Sequence, residues 1–127
     1  MIYGIGTDVV EVKRMKQSLR RLGDCYALNI LSDNELPSYN VSENKERFLA
    51  RRFAAKEAFV KALGTGFMSP AVPKNISIMH DKLGKPILEF TKELRAFMDY
   101  KHIGSEHISI SDEKNIASAF VVLTSKP

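Results

Sequence analysis

The stretch FLARRFAAKEAFVKALGTG, residues 48–66, decides the fold. It lies in a longer helical run, 43–63, with Ser42 as the candidate N-cap and Gly64 as the stop. No single apolar stripe runs along it: Leu49, Phe53 and Val60 point one way, and Ala55, Phe59 and Ala62 another. In its second half only Lys56, Glu57 and Lys61 interrupt the apolar residues. A helix of this kind is packed on several sides, so the rest of the chain must supply layers that cover it.

Outward from the helix, those layers are legible. Residues 2–9 read as a short apolar strand, weakened by Gly4 and Gly6, where a second backbone or a ligand approaches closely. Residues 11–22 read as an amphipathic helix with Val12, Met15, Leu19 and Leu22 on one side and Gly23 as its C-cap. Ser32 with Glu35 makes a capping-box pattern for a short second helix, limited by Pro37. Beyond the long helix, residues 75–80 and 86–90 read as strands joined by the hairpin stretch DKLGK. Thr91 caps a helix running to Lys101. Residues 107–111 and 116–123 form a closing pair of strands around DEKN. This order predicts an α+β fold, an antiparallel sheet packed against a long central helix.

At 127 residues, 44% hydrophobic and 27% charged, the chain fits a single domain over 1–127. The lone Cys25 excludes an intramolecular disulfide and Cys-rich zinc sites. No apolar run reaches membrane-spanning length, so no membrane association is expected. The N-terminus lacks a signal-peptide pattern, which makes the cytoplasm the expected location. Nineteen basic against fifteen acidic residues give a net charge of +4. Lys13, Arg14, Lys16, Arg20 and Arg21 stand together without an acid, and 45–61 is also rich in cations. A polyanionic partner follows: nucleic acid, a phosphorylated cofactor or an acidic protein. Nucleic acid fits least, because the cations are not interleaved with aromatics and Trp is absent.

Two carboxylates stand in apolar surroundings, Asp8 near a strand end and Glu57 within the helix. Buried carboxylates must be paired or bound to a metal. Two readings of each are open. Brought together, they suit Mg²⁺, which takes one or two protein carboxylates and leaves room for water and phosphate oxygens. Alternatively Glu57 forms an i,i+4 pair with Lys61, and Asp8 is a turn acceptor. Arg52 and Lys56 make a second charged face, open to a ligand or simply solvated. Gly64-Thr65-Gly66 either ends the helix or lets a ligand approach the backbone. His107, Ser109 and Ser111 share one strand face, as a phosphate-pocket lining or as an ordinary polar sheet face. No nucleophile elbow or Walker A motif is present.

Three stretches resemble the small bacterial holo-acyl-carrier-protein synthases, a group of 4′-phosphopantetheinyl transferases. They are MIYGIGTDVVEVKR at the start, residues 48–66, and HISISDEKNIASAFVVL (107–123). The resemblance implies transfer of phosphopantetheine from coenzyme A to a serine of apo-acyl-carrier protein, with release of 3′,5′-ADP. It implies Asp8 and Glu57 as Mg²⁺ ligands and Lys61 beside the phosphates. It puts Gly64 next to the cofactor, with Lys45 and Arg52 as candidates for its phosphates. Arg14, Arg20 and Arg21 would face the acidic helix of the carrier protein. Either Glu57 or a water on the metal would take the serine proton. A homotrimer with cofactor sites at subunit interfaces is also implied. Two positions depart from the family pattern. Asp112 stands where many members have His, so Ser111 or a nearby basic residue would replace the imidazole. Asn29 stands where an Arg is frequent. The rival from another class is a non-catalytic module docking an acidic protein or RNA through the basic helix.

Overall fold

The computed structural model describes residues 1–127. Strand Ile2–Glu11 (β1) runs directly into helix Val12–Leu22 (α1). Helix Asp24–Ile30 (α2) follows, then the 3-10 turn Asp33–Glu35, helix Leu36–Val41 (α3) and the long helix Lys45–Leu63 (α4). Strands Ile76–His80 (β2) and Pro86–Phe90 (β3) come next. Helix Lys92–Tyr100 (α5) and strands Ile103–Asp112 (β4) and Ile116–Ser125 (β5) complete the chain.

The fold is α+β, but the antiparallel strands divide between two sheets. One has the order β1-β5-β4 and the other is the β2-β3 hairpin. α5 lies between β3 and β4 in the chain, and those two strands form no ladder. In the larger sheet Asp8 stands opposite Ala119, which in turn stands opposite Ile110.

α4 is buried on several sides, as its residue pattern predicts: Leu49, Ala54, Ala58, Phe59 and Leu63 all belong to the core. It presses its backbone onto β1. A Cβ built on Gly6 would overlap the Ala58 carbonyl oxygen and stand 2.7 Å from the Ala62 nitrogen. A Cβ on Gly4 would overlap the Ala62 carbonyl. The close approach expected at these two glycines is therefore that of the long helix. The helix starts two residues later than expected, and its cap is Asn44 instead of Ser42. The Asn44 side chain accepts the Arg47 amide at 3.1 Å. Gly64 ends it at φ 87°, and its amide donates to the Val60 carbonyl.

α2 is an element that the residue pattern left unassigned. Gly23 closes α1 and opens α2 at once, so the stop signal hid a second start. Thr91 caps α5 as expected, accepting the Leu94 amide. The face of the larger sheet away from α4 leaves Ile5, Val9 and Phe120 exposed. No helix is long and apolar enough to cross a membrane.

Candidate active site

β1 and α4 bring together three of the residues singled out in the sequence. The Lys61 ammonium lies 3.1 Å from Asp8 Oδ1 and donates to the Thr7 carbonyl at 3.0 Å. Lys61 is about half exposed, so this pair contributes no more than about 1 kcal/mol to stability. Lys61 thus pairs across to β1 and makes no ion pair with Glu57. Glu57 is only partly buried, yet burial pushes its carboxyl above the usual value near 4.5. The charge of Asp8 pushes the same way and that of Lys61 opposes.

Both carboxylates line a cavity of about 330 Å³, with Arg14 and Ser18 of α1, Tyr26 of α2 and Phe53 of α4. No third carboxylate, imidazole or thiolate groups with them. Two hard oxygen donors of like charge, with the remaining positions left to water or ligand oxygens, fit Mg²⁺ and do not fit a closed zinc cage. Tyr26 and Ser18 were missed in the sequence. Tyr26 rides on the unassigned α2, and Ser18 lies between the apolar and basic sides of α1. The spacing of Ala27 and Ile30, both buried, was the available signal for α2.

The other expected site residues separate. Arg14 faces the carboxylate cavity, whereas Arg20 lines a different one and Arg21 is exposed at the end of α1. Lys45 turns back to the Ser42 and Asn40 carbonyls, at 3.0 and 3.3 Å. Gly64 is exposed at the end of α4. Ser111 lies on the exposed face of β4, with His107 and Ser109. Asp112 is paired with Arg47 at 2.8 Å, with Arg51 farther off at 3.8 Å.

Arg52 requires a correction. Expected at cofactor phosphates, it is instead buried, 6% exposed, with Nε 3.1 Å from Glu35 Oε2. That contact is an ion pair by distance without the alignment of a hydrogen bond. Its neighbour Lys56 is wholly buried and donates to Glu35 Oε1 at 2.5 Å. The second charged face of the helix is therefore an internal ion cluster, neither solvated nor open to a ligand. Glu35, arriving from the 3-10 turn, supplies the counter-charge that makes this burial tolerable.

Residues 4–119 match the model of the 4′-phosphopantetheinyl transferase superfamily. The chain belongs to that superfamily. It is 51% identical over 123 residues to the holo-[acyl-carrier-protein] synthase of Nitrosomonas eutropha, across 97% of this chain and 98% of that one. The crystal structure of the holo-[acyl-carrier-protein] synthase from Neisseria meningitidis matches with a TM-score of 0.96 at 41% identity, over 98% of this chain and 100% of that one. A Bacillus anthracis holo-(acyl-carrier-protein) synthase, solved in complex with CoA (3′,5′-ADP), matches with a TM-score of 0.82 at 36% identity, over 99% of both chains. Within the 4′-phosphopantetheinyl transferases, the chain therefore falls among the holo-[acyl-carrier-protein] synthases in sequence and in architecture, and it is an enzyme.

Proposed function

We propose that this single-domain chain transfers 4′-phosphopantetheine from coenzyme A to a serine of apo-acyl-carrier protein in a Mg²⁺-dependent reaction in the cytoplasm. The products are holo-acyl-carrier protein and adenosine 3′,5′-bisphosphate. The observation that carries the reading is the meeting of Asp8 and Glu57 in one cavity, beside Lys61 and Arg14. The relative solved with CoA supports coenzyme A as donor.

In this reading the serine oxygen attacks phosphorus in the coenzyme A diphosphate, its proton passes to Glu57 or to water, and the bond to the adenosine bisphosphate oxygen breaks. Catalysis of such a step is mainly positioning and charge neutralisation. Asp8 and Glu57 would hold Mg²⁺, which when bound offsets negative charge on the diphosphate. Lys61, already beside Asp8, would offset charge on the departing phosphate. Gly64, exposed at the end of α4, would leave room for the cofactor there. Lys45 would exchange its carbonyl partners for a phosphate, and Ser111 would offer a hydroxyl from β4. Arg14, Arg20 and Arg21 would meet the acidic helix of the carrier.

The exposed apolar face carrying Ile5, Val9 and Phe120 supports assembly into a homotrimer with cofactor sites at subunit interfaces. Sedimentation equilibrium should return three times the 14.3 kDa chain mass; a monomer at micromolar concentration contradicts it. Steady-state kinetics test the site itself. Asp8→Ala and Glu57→Ala should each lower turnover on the order of 10²-fold or more with the fold intact. Charge reversal at Arg21 should raise KM for the carrier and spare kcat. Normal turnover in either carboxylate variant would remove the metal assignment.

A further inference from the structure

The largest cavity in the molecule is a different one from that of the carboxylates. It measures about 580 Å³. Its walls are Lys13, Lys16 and Arg20 of α1, Arg47 in the first turn of α4, and Lys114 in the β4–β5 turn. Glu46 is the one acid among its lining residues, and Val12 the one apolar residue. It shares no lining residue with the Asp8–Glu57 cavity.

Lys13, Lys16, Arg20 and Lys114 have no acidic partner anywhere in the chain. Arg47 is fixed on the wall, donating to Asp112 at 2.8 Å and to the Lys114 carbonyl at 3.3 Å. Two separate elements, α1 and the β4–β5 turn, thus converge four unpaired cations on one concavity beside the paired Arg47 of α4, and the surrounding protein focuses their field. The N-terminal end of α4, a helix of 19 residues, adds its positive dipole end at Asn44 and Arg47. The volume lies in the range of small-molecule sites, roughly 300–1,000 Å³. No aromatic side chain lines it, so it offers no platform on which a base could stack. It reads charge in a small space.

We infer that this cavity is a second anion site, binding a compact polyanion of the inorganic diphosphate class. One consequence rests on the proposed function. Arg20 stands in its wall, so occupancy lowers the positive charge that α1 offers to the carrier. The binding itself does not depend on that reading.

Isothermal titration of the full chain with inorganic diphosphate, in EDTA and without coenzyme A, tests the inference. The parent should bind one diphosphate per chain, more weakly as salt rises. The double variant Lys16→Glu/Lys114→Glu should bind about tenfold or more weakly, and Lys16→Gln/Lys114→Gln should fall between. Asp8→Ala should bind at least as tightly as the parent. The inference is overturned if the parent shows no saturable binding, if both double variants bind like the parent, or if Asp8→Ala abolishes binding. Should circular dichroism show the charge-reversed variant unfolded, the glutamine variant decides. Turnover is measured separately, so failure here leaves the transferase reading standing, and the reverse also holds.

Discussion

At Glu57, burial and the charge of Asp8 act together against ionisation, and Lys61 only partly offsets them. A carboxyl raised in the folded chain contributes stability below its unfolded value near 4.5 and loses it as pH rises through the folded value. At neutral pH, without a bound cation, ionised Glu57 therefore costs stability. Glu57→Gln should melt no lower than the parent at pH 7 in EDTA, and the gain in Tm on adding Mg²⁺ should be larger in the parent. Scanning calorimetry at pH 4 and pH 7 checks both; a variant clearly less stable at pH 7 contradicts the electrostatic assignment. Asp8 and Glu57 were legible in the sequence because each is a carboxylate in apolar company. The partner of Lys61 was not, since helix spacing pointed to Glu57 while the true acceptor arrives from β1.

Among the elements, Glu35 is the junction. Its Oε1 accepts the Ser32 amide at 2.9 Å and the Lys56 ammonium, and its Oε2 accepts the Ile78 amide at 3.0 Å. Lys56 also donates to the Ile30 and Pro73 carbonyls, at 2.6 and 3.0 Å. One carboxylate thus ties α4 to the end of α2, the 3-10 turn and β2. Burial pulls the Lys56 ammonium down to about 8, with Glu35 opposing. Between that value and 10.5 the unfolded chain holds a proton that the folded chain lacks, so the contribution of Lys56 rises with pH there. Glu35→Ala would leave Lys56 and Arg52 buried without a counter-charge, at a cost of about 3–5 kcal/mol. Urea denaturation measures it, and a loss under about 1 kcal/mol contradicts the junction. The capping-box pattern located this glutamate correctly, and the Ser32 hydroxyl also bonds Ser77 at 2.6 Å. Its larger role was illegible, because Arg52 and Lys56 look like a solvated face until a distant turn brings the acid to them.

Across the whole molecule, the long helix, the hairpins and the α+β class follow from local patterns of apolar residues. The division into two sheets does not, because the β1–β5 pairing joins the two ends of the chain. That pairing holds Asp8 in register beside α4, while Gly4 and Gly6 let the helix backbone come close enough for Glu57 to share its cavity. The charge of the molecule is likewise distributed by the fold: one edge of α1 looks toward the carboxylates through Arg14, the other into the basic cavity. In the proposed reading this geometry moves a phosphopantetheine arm in a Mg²⁺-dependent reaction. Intact-mass spectrometry of an apo-acyl-carrier protein, incubated with the chain, coenzyme A and Mg²⁺, tests it most directly. A gain of about 340 Da that vanishes when EDTA replaces Mg²⁺ is the expected result. No gain across several carriers with the folded chain, or an equal gain in EDTA, would contradict it.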